Sequence, residues 1–245
     1  MAQAQWQFDS APDLDRSFIE RLRTFPRQPD MLVYGMRSAA ALVLRGWLRI
    51  YHRLRIVGRE NLPGEGSFIM VANHCSHLDI LCLLAALPLR KLHRAFPAAA
   101  QDYFFISLPR TAAATIFVNA MPFSRDAHAR HSLEVCGAML SNPGNVLILF
   151  PEGTRSTTGQ IGEFRAGIGH LVAGTEIAVV PCHLRGTFAA LPKSARIPRP
   201  RRVCLSIGGA RRFGDLPQGR ESALSVARQL HQAVEELACE RSKQP

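Results

Sequence analysis

The sequence predicts a single α/β domain with a mixed, largely parallel central sheet flanked by helices, preceded by an N-terminal amphipathic helix. Short apolar runs of strand length alternate with segments whose apolar residues recur at helical spacing, and no long linker interrupts them. The 245 residues, 47% hydrophobic and 20% charged, suffice for one domain with a full core. Polar residues directly follow two apolar runs. In parallel sheets, ligands bind in the crevice beyond the carboxyl ends of the strands.

The first 54 residues precede the predicted main domain, which spans residues 55–245. Residues 1–30 form a polar lead-in without the apolar segment of a secretory signal. Residues 31–54 predict a long helix with a wide apolar side and a basic side. The apolar side comprises Leu32, Met36, Ala40, Val43, Trp47, Ile50, Tyr51 and Leu54, and the basic side comprises Arg37, Arg45, Arg49, His52 and Arg53. Such a helix can lie in the headgroup layer of an anionic membrane, or it can pack on the core with solvated arginines.

Charge and cysteine content restrict the partners and the compartment. Lys and Arg outnumber Asp and Glu by 30 to 19, which gives a net charge of +11. This excess attracts anionic lipid or phosphorylated substrates. No nucleic acid is expected, because the chain has no basic–aromatic repeat or recognised binding motif. The six cysteines include no Cys-x-x-Cys pair, which favours a reducing compartment and no structural zinc. No apolar stretch reaches the ~18 residues of a membrane-spanning helix.

The first polar cluster follows an apolar run at residues 67–72 that predicts a buried strand. The cluster reads Asn-His-Cys-Ser-His-Leu-Asp, and an apolar helix is predicted directly after it at residues 80–87. His74 therefore lies where the strand ends, and Asp79 lies in the first turn of the helix. A carboxylate can hold one histidine tautomer and stabilise the imidazolium. We therefore predict His74 as a general base and Asp79 as its partner.

Two other interpretations of this cluster carry less support. Cys75 is a conceivable nucleophile, but the side chains of adjacent residues usually diverge, so it would not act beside His74. His74, His77 and Asp79 contain a His-x-x-His pair that suits a metal, but no further ligand follows at a convincing spacing. We therefore predict no metal and no cofactor.

The second polar cluster, Pro-Glu-Gly-Thr-Arg, follows another predicted buried strand at residues 145–150. Phe150, the last residue of that strand, extends the cluster to the motif Phe-Pro-Glu-Gly-Thr-Arg. Together with the His-x4-Asp cluster, in this order and each after an apolar strand, this motif resembles the glycerolipid acyltransferase family of the lysophosphatidic-acid acyltransferase type. The resemblance extends more weakly over residues 55–182. It implies that the acceptor is positioned by Glu152, Gly153, Thr154 and Arg155.

The family also places an arginine just beyond its third strand, where it is thought to hold the phosphate of the acceptor. Residues 114–120 predict that strand here. Asn119 occupies the near position and Arg125 comes later, so the resemblance leaves the phosphate to Arg125 or Arg155. Residues 96–108 are apolar and aromatic, and they either line an acyl-chain slot or fill core.

The resemblance implies transfer of a fatty acyl group from acyl-CoA or acyl carrier protein to the free hydroxyl of 1-acylglycerol-3-phosphate. The product is phosphatidic acid, in phospholipid biosynthesis, and the thioester is a co-substrate. The resemblance also favours the membrane interpretation of residues 31–54, so the protein is expected at the cytoplasmic face of a membrane, peripheral or monotopic. Its expected partners are the lipid surface, the lysophospholipid and the acyl donor.

Two alternatives to this function stay open. In the first alternative, the acceptor is a different lysolipid, such as a lyso-aminolipid. In the second, the protein is a basic membrane-binding protein without turnover. The His74–Asp79 pair argues against the second alternative, because a binding protein does not need it.

The remaining elements close the domain. Helices are predicted at residues 128–140, 164–172 and 222–237, strands at residues 177–182 and 203–207, and an exposed basic loop at residues 195–202.

Overall fold

The computed structural model describes residues 31–100, 121–123 and 129–240. The helices in these ranges are α1 (Met31–Tyr51), α2 (Leu78–Ala86), α3 (Leu89–Leu92), α4 (Ala129–Leu140), α5 (Gly167–Val172), α6 (Thr187–Ala190) and α7 (Arg220–Glu240). The strands are β1 (Arg55–Val57), β2 (Phe68–Ala72), β3 (Ala95–Ala100), β4 (Met121–Phe123), β5 (Val146–Leu149), β6 (Ala178–Arg185) and β7 (Cys204–Ile207).

These strands form one sheet of seven in the order β1-β7-β6-β2-β5-β3-β4. The five strands from β6 to β4 pair in parallel with their neighbours. β7 runs antiparallel to β6, and β1 is parallel to β7, so these two strands point the opposite way. The predicted mixed, largely parallel sheet flanked by helices is confirmed.

Apolar layers cover both faces of the sheet. Alternate residues of β2 contribute to both: Phe68 and Met70 pack with α1 and α2, whereas Ile69 and Val71 pack with α4, α5 and α7. Because β2 is buried on both faces, its sequence is a continuous apolar run rather than an alternating one. The polar cluster after β2 therefore begins at a well-defined edge of the core.

The observed strands differ from the predicted ones at three places. The short strand β4 at Met121–Phe123 was not predicted, since the strand predicted before it ends at residue 120. The strand predicted at residues 177–182 continues to Arg185, since the end of β6 pairs with β7. Residues 95–100 form β3 beside β5, although no strand was predicted there. Four alanines and Pro97 have low strand propensity, so β3 depends on its pairing with β5. The strand predicted at residues 114–120 and most of the segment 96–108 lie outside the described residues.

Helix α1 turns part of its predicted basic side toward the domain. Arg37 is only 4% exposed, and His52, which follows the helix, is fully buried. The interpretation of α1 as a core-packing helix with a solvated basic side is therefore wrong for these two residues. The outward side instead carries apolar side chains, among them Val43, which is 74% exposed, and Ile50, which is 80% exposed. The helix also ends at Tyr51 rather than at residue 54.

Several side chains of α1 contact the domain or are buried against it. Arg45 donates a hydrogen bond to the carbonyl of Leu87, at the C-terminal end of α2, where helix carbonyls lack internal partners and favour a cation. Burial lowers the pKa of Arg37 to about 10. The ring of Tyr34 stacks on His93, with 4.0 Å between centroids. These contacts decide which side of α1 faces inward.

Among the residues with described structure, no helix combines the length and the hydropathy required to cross a bilayer.

Candidate active site

The site begins where β2 ends, at a side-chain clamp between two strands. The Asn73 amide nitrogen donates to the Leu184 carbonyl at 3.1 Å, and the Leu184 N–H donates to the Asn73 side-chain oxygen at 2.8 Å. Asn73 is buried, so these bonds satisfy its polar atoms where the ladder between β2 and β6 ends. The clamp holds the next residue, His74, at the carboxyl edge of the sheet.

His74 and Asp79 form the predicted pair. His74 Nδ1 lies 2.9 Å from Asp79 Oδ2, across the turn between β2 and α2. The Asp79 side chain is fully buried, whereas the His74 side chain is 17% exposed. With Nδ1 directed at the carboxylate, Nε2 is the nitrogen left to take a proton from a bound hydroxyl.

The Asp79 carboxylate is held by the backbone that precedes it. The N–H groups of Cys75 and Ser76 each donate to Asp79 Oδ2 at 2.7 Å, and Asp79 lies in the first turn of α2. These two N–H donors orient the carboxylate, so that Oδ2 faces His74 Nδ1 even though Asp79 is buried.

The imidazole ring of His74 stacks on Phe150. The centroids are 4.0 Å apart and the rings are 17° from parallel. Phe150 directly follows β5, the parallel neighbour of β2, so both rings lie at the same edge of the sheet. Phe150 was predicted as the end of a strand and as the first residue of the Phe-Pro-Glu-Gly-Thr-Arg motif, with no role at the site; its place in that motif was the available signal.

The second polar cluster and the residue after it form hydrogen bonds with the backbone of His74. The His74 N–H donates to Glu152 Oε1 at 2.8 Å, and the His74 carbonyl accepts the N–H of Ser156 at 2.7 Å. Glu152 is buried. Burial raises the pKa of Glu152, and the N–H groups of His74 and Gly162 oppose that rise. Glu152 thus contacts the base residue itself, and its predicted role toward the acceptor stays a prediction.

Gly153 makes the turn after Glu152 possible. Its φ is +73°, and its N–H closes the turn on the Phe150 carbonyl at 3.0 Å. A Cβ at this position would lie 2.9 Å from Arg165 Nε, closer than real Cβ atoms approach other atoms. The resemblance implies that Gly153 helps to position the acceptor; in the structure, the side chain that lies against Gly153 belongs to Arg165.

The structure brings the other predicted acceptor residues to the same loop, with one exception. Thr154 is exposed and Arg155 is half-buried. Burial, together with the charge of Arg155 and the neighbouring His74, lowers the pKa of His77 to about 4. Arg155 therefore acts electrostatically on the cluster that contains the base. Arg125 lies outside the described residues.

Neither rival interpretation of the first cluster gains support. Cys75 is buried, with Sγ 3.2 Å from the Thr187 hydroxyl, and burial raises the pKa of its thiol to about 12. A thiol with such a pKa is not a thiolate near neutral pH and is a poor nucleophile. Across the described ranges, no three or more His, Cys, Asp and Glu side chains form a metal-binding group.

Comparisons with known proteins agree with this geometry. The model of the family described as Acyltransferase matches residues 53–185. The chloroplastic 1-acyl-sn-glycerol-3-phosphate acyltransferase LPAT1 of Arabidopsis thaliana is 33% identical over 145 residues, 58% of this chain and 38% of that protein. The human 1-acyl-sn-glycerol-3-phosphate acyltransferase alpha is 30% identical over 132 residues, 53% of this chain and 44% of that protein. The match thus spans less than half the length of these relatives.

A solved structure shares the fold. The crystal structure of the 1-acyl-sn-glycerophosphate acyltransferase PlsC from Thermotoga maritima superimposes with a TM-score of 0.61, covering 90% of this chain and 88% of that one at 24% identity. The family match includes β2 with His74, β5 with Glu152 and the whole of β6, and it covers more than half of the 245 residues. This chain therefore belongs to the Acyltransferase family.

Proposed function

We propose that the protein is an O-acyltransferase that moves a fatty acyl group from a thioester to the free hydroxyl of 1-acylglycerol-3-phosphate and forms phosphatidic acid. The observation that carries the proposal is the His74–Asp79 pair, 2.9 Å apart at the carboxyl end of β2, in a chain of this family. The names of the curated relatives support 1-acylglycerol-3-phosphate as the acceptor.

The chemistry needs one base and no covalent enzyme intermediate. His74 Nε2 takes the proton of the acceptor hydroxyl while its oxygen attacks the thioester carbonyl and a C–O bond forms. The tetrahedral intermediate then breaks its C–S bond, and the imidazolium returns the proton to the leaving sulfur. Asp79 stabilises the imidazolium between these steps. A base positioned in this way typically contributes ~10² to 10⁴-fold in rate.

The loop that holds His74 also carries the candidate for the acceptor's phosphate. Arg155 is half-buried three residues after Glu152, and its charge contributes to the lowered pKa of His77. A guanidinium can bind phosphate through two parallel hydrogen bonds. We assign Arg155 to the phosphate, with Arg125 as a second candidate. Glu152 contributes indirectly, since it holds the N–H of His74.

A cavity beside α2 supports a substrate with an acyl chain. It occupies about 240 Å³ between α1, α2 and α3. Its lining is mostly apolar and comprises Ala40, Ala41, Leu44, Leu81, Leu84, Ala85 and Leu92, together with Arg37 and Arg45. α2 begins with the turn that holds Asp79, so the cavity flanks the helix on which the base depends. We propose that part of an acyl chain occupies it.

The outward side of α1 supports association with a membrane surface, where the lipid acceptor resides. Val43 and Ile50 are largely exposed there, and no acidic residue occurs in α1. A helix of this kind lies flat in the membrane interface, with its apolar side buried between the headgroups and the acyl chains. We propose a peripheral or monotopic enzyme at the cytoplasmic face, with acyl-CoA or acyl carrier protein as donor and no further cofactor. Both donors are anionic and suit a chain with a net charge of +11.

The test measures thiol release from acyl-CoA and from acyl carrier protein thioester by purified protein in detergent. The acceptors are lysophosphatidic acid, a lyso-aminolipid and lysophosphatidylcholine. Wild type is compared with His74→Ala and with His170→Ala, a control that removes an exposed histidine on α5. We expect release that requires lysophosphatidic acid, is lost in His74→Ala and is retained in His170→Ala.

The other outcomes reject separate parts of the proposal. Turnover that needs a different lysolipid and still depends on His74 keeps the mechanism and rejects the acceptor. Equal turnover in wild type and His74→Ala rejects the base. If the folded protein binds vesicles but shows no thiol release with any combination of donor and acceptor, the result favours a basic membrane-binding protein without catalysis.

A further inference from the structure

We propose that the basic loop, defined as residues 193–202 so that it adds Lys193 and Ser194 to the predicted residues 195–202, forms with the C-terminal half of α1 one docking surface for a bilayer of anionic phospholipid. The inference deepens the proposed membrane association and rests on that part of the proposed function. It assigns the electrostatic contact to a loop far from α1 in sequence, because α1 itself turns Arg37 and Arg45 toward the domain.

The basic loop combines cations with one exposed apolar side chain. Ile197 is 78% exposed. The loop contains no acidic residue, and acidic residues are absent from the whole sequence between 177 and 214. Its exposed cations are Lys193, Arg196, Arg199, Arg201 and Arg202. An apolar side chain between arginines suits a bilayer interface, where the apolar group enters the headgroup layer and the cations meet lipid phosphates.

Backbone and side-chain hydrogen bonds fasten the basic loop to α1. The Tyr51 hydroxyl donates to the Pro198 carbonyl at 3.0 Å, and the Val203 N–H donates to the His52 carbonyl at 3.0 Å. Directly after Pro198, the Arg199 N–H donates at 2.8 Å to the carbonyl of Ala190, the last residue of α6. The loop therefore has a defined position beside the last turn of α1.

That position puts the cations next to the apolar stripe of α1. Val43 and Ile50 are seven residues apart and lie on one side of the helix. Tyr51, which holds the loop, follows Ile50 by one residue, about 100° around the helix axis. The loop thus flanks the stripe. Arg49 and Arg53, also exposed, add cations at the same end of the helix.

The docking surface lies at the edge of the sheet that carries the candidate active site. β6 is parallel to β2 and ends at Arg185, which pairs with Cys204 at the start of β7. The basic loop lies within this connection, after α6, whose Thr187 contacts Cys75. Docking through the loop would bring the edge with His74 to the bilayer, where a lysolipid is found.

An acidic protein is the alternative partner for a basic loop. The exposed Ile197 and the adjacent stripe of Val43 and Ile50 favour a bilayer, since a purely electrostatic protein contact needs no apolar side chains that protrude. Each arginine near an anionic membrane strengthens binding about fivefold. Three fewer arginines should therefore weaken binding on the order of a hundredfold.

The experiment measures sedimentation of the full chain with vesicles of phosphatidylcholine alone and with matched vesicles that also contain phosphatidylglycerol. The triple variant Arg196→Gln, Arg199→Gln, Arg201→Gln is compared with a control triple that removes the same charge elsewhere: Arg212→Gln, Arg220→Gln, Arg228→Gln. A second pair compares Ile197→Ser with Leu224→Ser, an exposed leucine on α7.

We expect wild type and the control triple to prefer the anionic vesicles, and the loop triple to lose most of that binding. Ile197→Ser should weaken binding to anionic vesicles, whereas Leu224→Ser should not. Added salt should weaken wild type more than the loop triple, since exposed charges are screened.

Equal binding by the loop triple and wild type overturns the inference about the loop. Wild type that binds neither vesicle overturns membrane association as well. If the loop triple binds vesicles like wild type but turns over an acyl carrier protein thioester more slowly, the loop binds the acyl donor and not the bilayer. Thiol release with detergent-dispersed substrates is measured for every variant, so a failure of the proposed chemistry is seen separately.

Discussion

Glu152 Oε1 accepts a hydrogen bond from the N–H of His74 at 2.8 Å, so the carboxylate of the second polar cluster holds the backbone of the residue that carries the base. The two clusters are 78 residues apart in sequence and meet because β2 and β5 are adjacent parallel strands. One cluster supplies the imidazole and its carboxylate partner. The other sets the position of that imidazole and carries Arg155.

The Asp79→Asn variant should lose most activity while it keeps its fold. An amide cannot stabilise the imidazolium as a carboxylate does, and it can also turn its NH₂ toward Nδ1 and favour the wrong tautomer. We expect kcat to fall on the order of 10² to 10⁴-fold. Thiol release kinetics measure the effect, and circular dichroism checks the fold. A variant with kcat near wild type would show that His74 does not depend on this carboxylate.

The Glu152→Gln variant should change how stability depends on pH. Burial raises the pKa of Glu152, so between its unfolded and folded pKa values the native state holds a proton that the unfolded state has lost. Stability from this group is present below the unfolded pKa and is lost as pH rises through the folded pKa. Gln cannot ionise, so the stability of the variant relative to wild type should increase as pH rises from the acidic range.

Urea unfolding at a series of pH values measures this difference in the free energy of unfolding. Glu163→Gln is the matched control, because Glu163 is exposed on the same connection. A difference between Glu152→Gln and wild type that stays constant with pH would contradict the raised pKa.

The Gly153→Ala variant should be less stable and less active. The left-handed backbone at φ +73° costs roughly 1–2 kcal/mol for a residue with a Cβ, and the new methyl would also displace Arg165. The loop with Glu152, which hydrogen-bonds to the backbone of His74, should shift, so we expect kcat to fall as well. Gly209→Ala is the control, because a Cβ there meets no atom within 4 Å. Equal unfolding midpoints in the two variants would contradict the prediction.

The Ala40→Phe variant should change which acyl chains are accepted. Ala40 lines the cavity beside α2, and a phenyl ring there would occupy part of its volume of about 240 Å³. We expect KM to rise for long chains more than for short ones. Turnover across a series of chain lengths measures this, with Ala39→Phe, on the exposed side of the same helix, as control. An identical chain-length profile in both variants would place the chain elsewhere.

Local patterns predicted the elements whose burial is uniform. β2 and β5 are buried along their whole length, so each is a plain apolar run, and the polar residues that follow mark the edge of the sheet. β3 was missed because Pro97 and four alanines give it no strand pattern, and only the neighbouring β5 makes it a strand. Pairing between distant segments does not appear in the spacing of apolar residues.

The sequence by itself determined the alternation of strands and helices and the His74–Asp79 pair, because both residues lie within one strand-to-helix turn, where five residues of separation let the side chains meet. Only the tertiary structure decided that Glu152 holds the backbone of His74, since this contact needs two parallel strands side by side. It also decided which side of α1 faces inward. That helix carries apolar residues on both sides, and the carbonyl at the end of α2 draws Arg45 toward the domain.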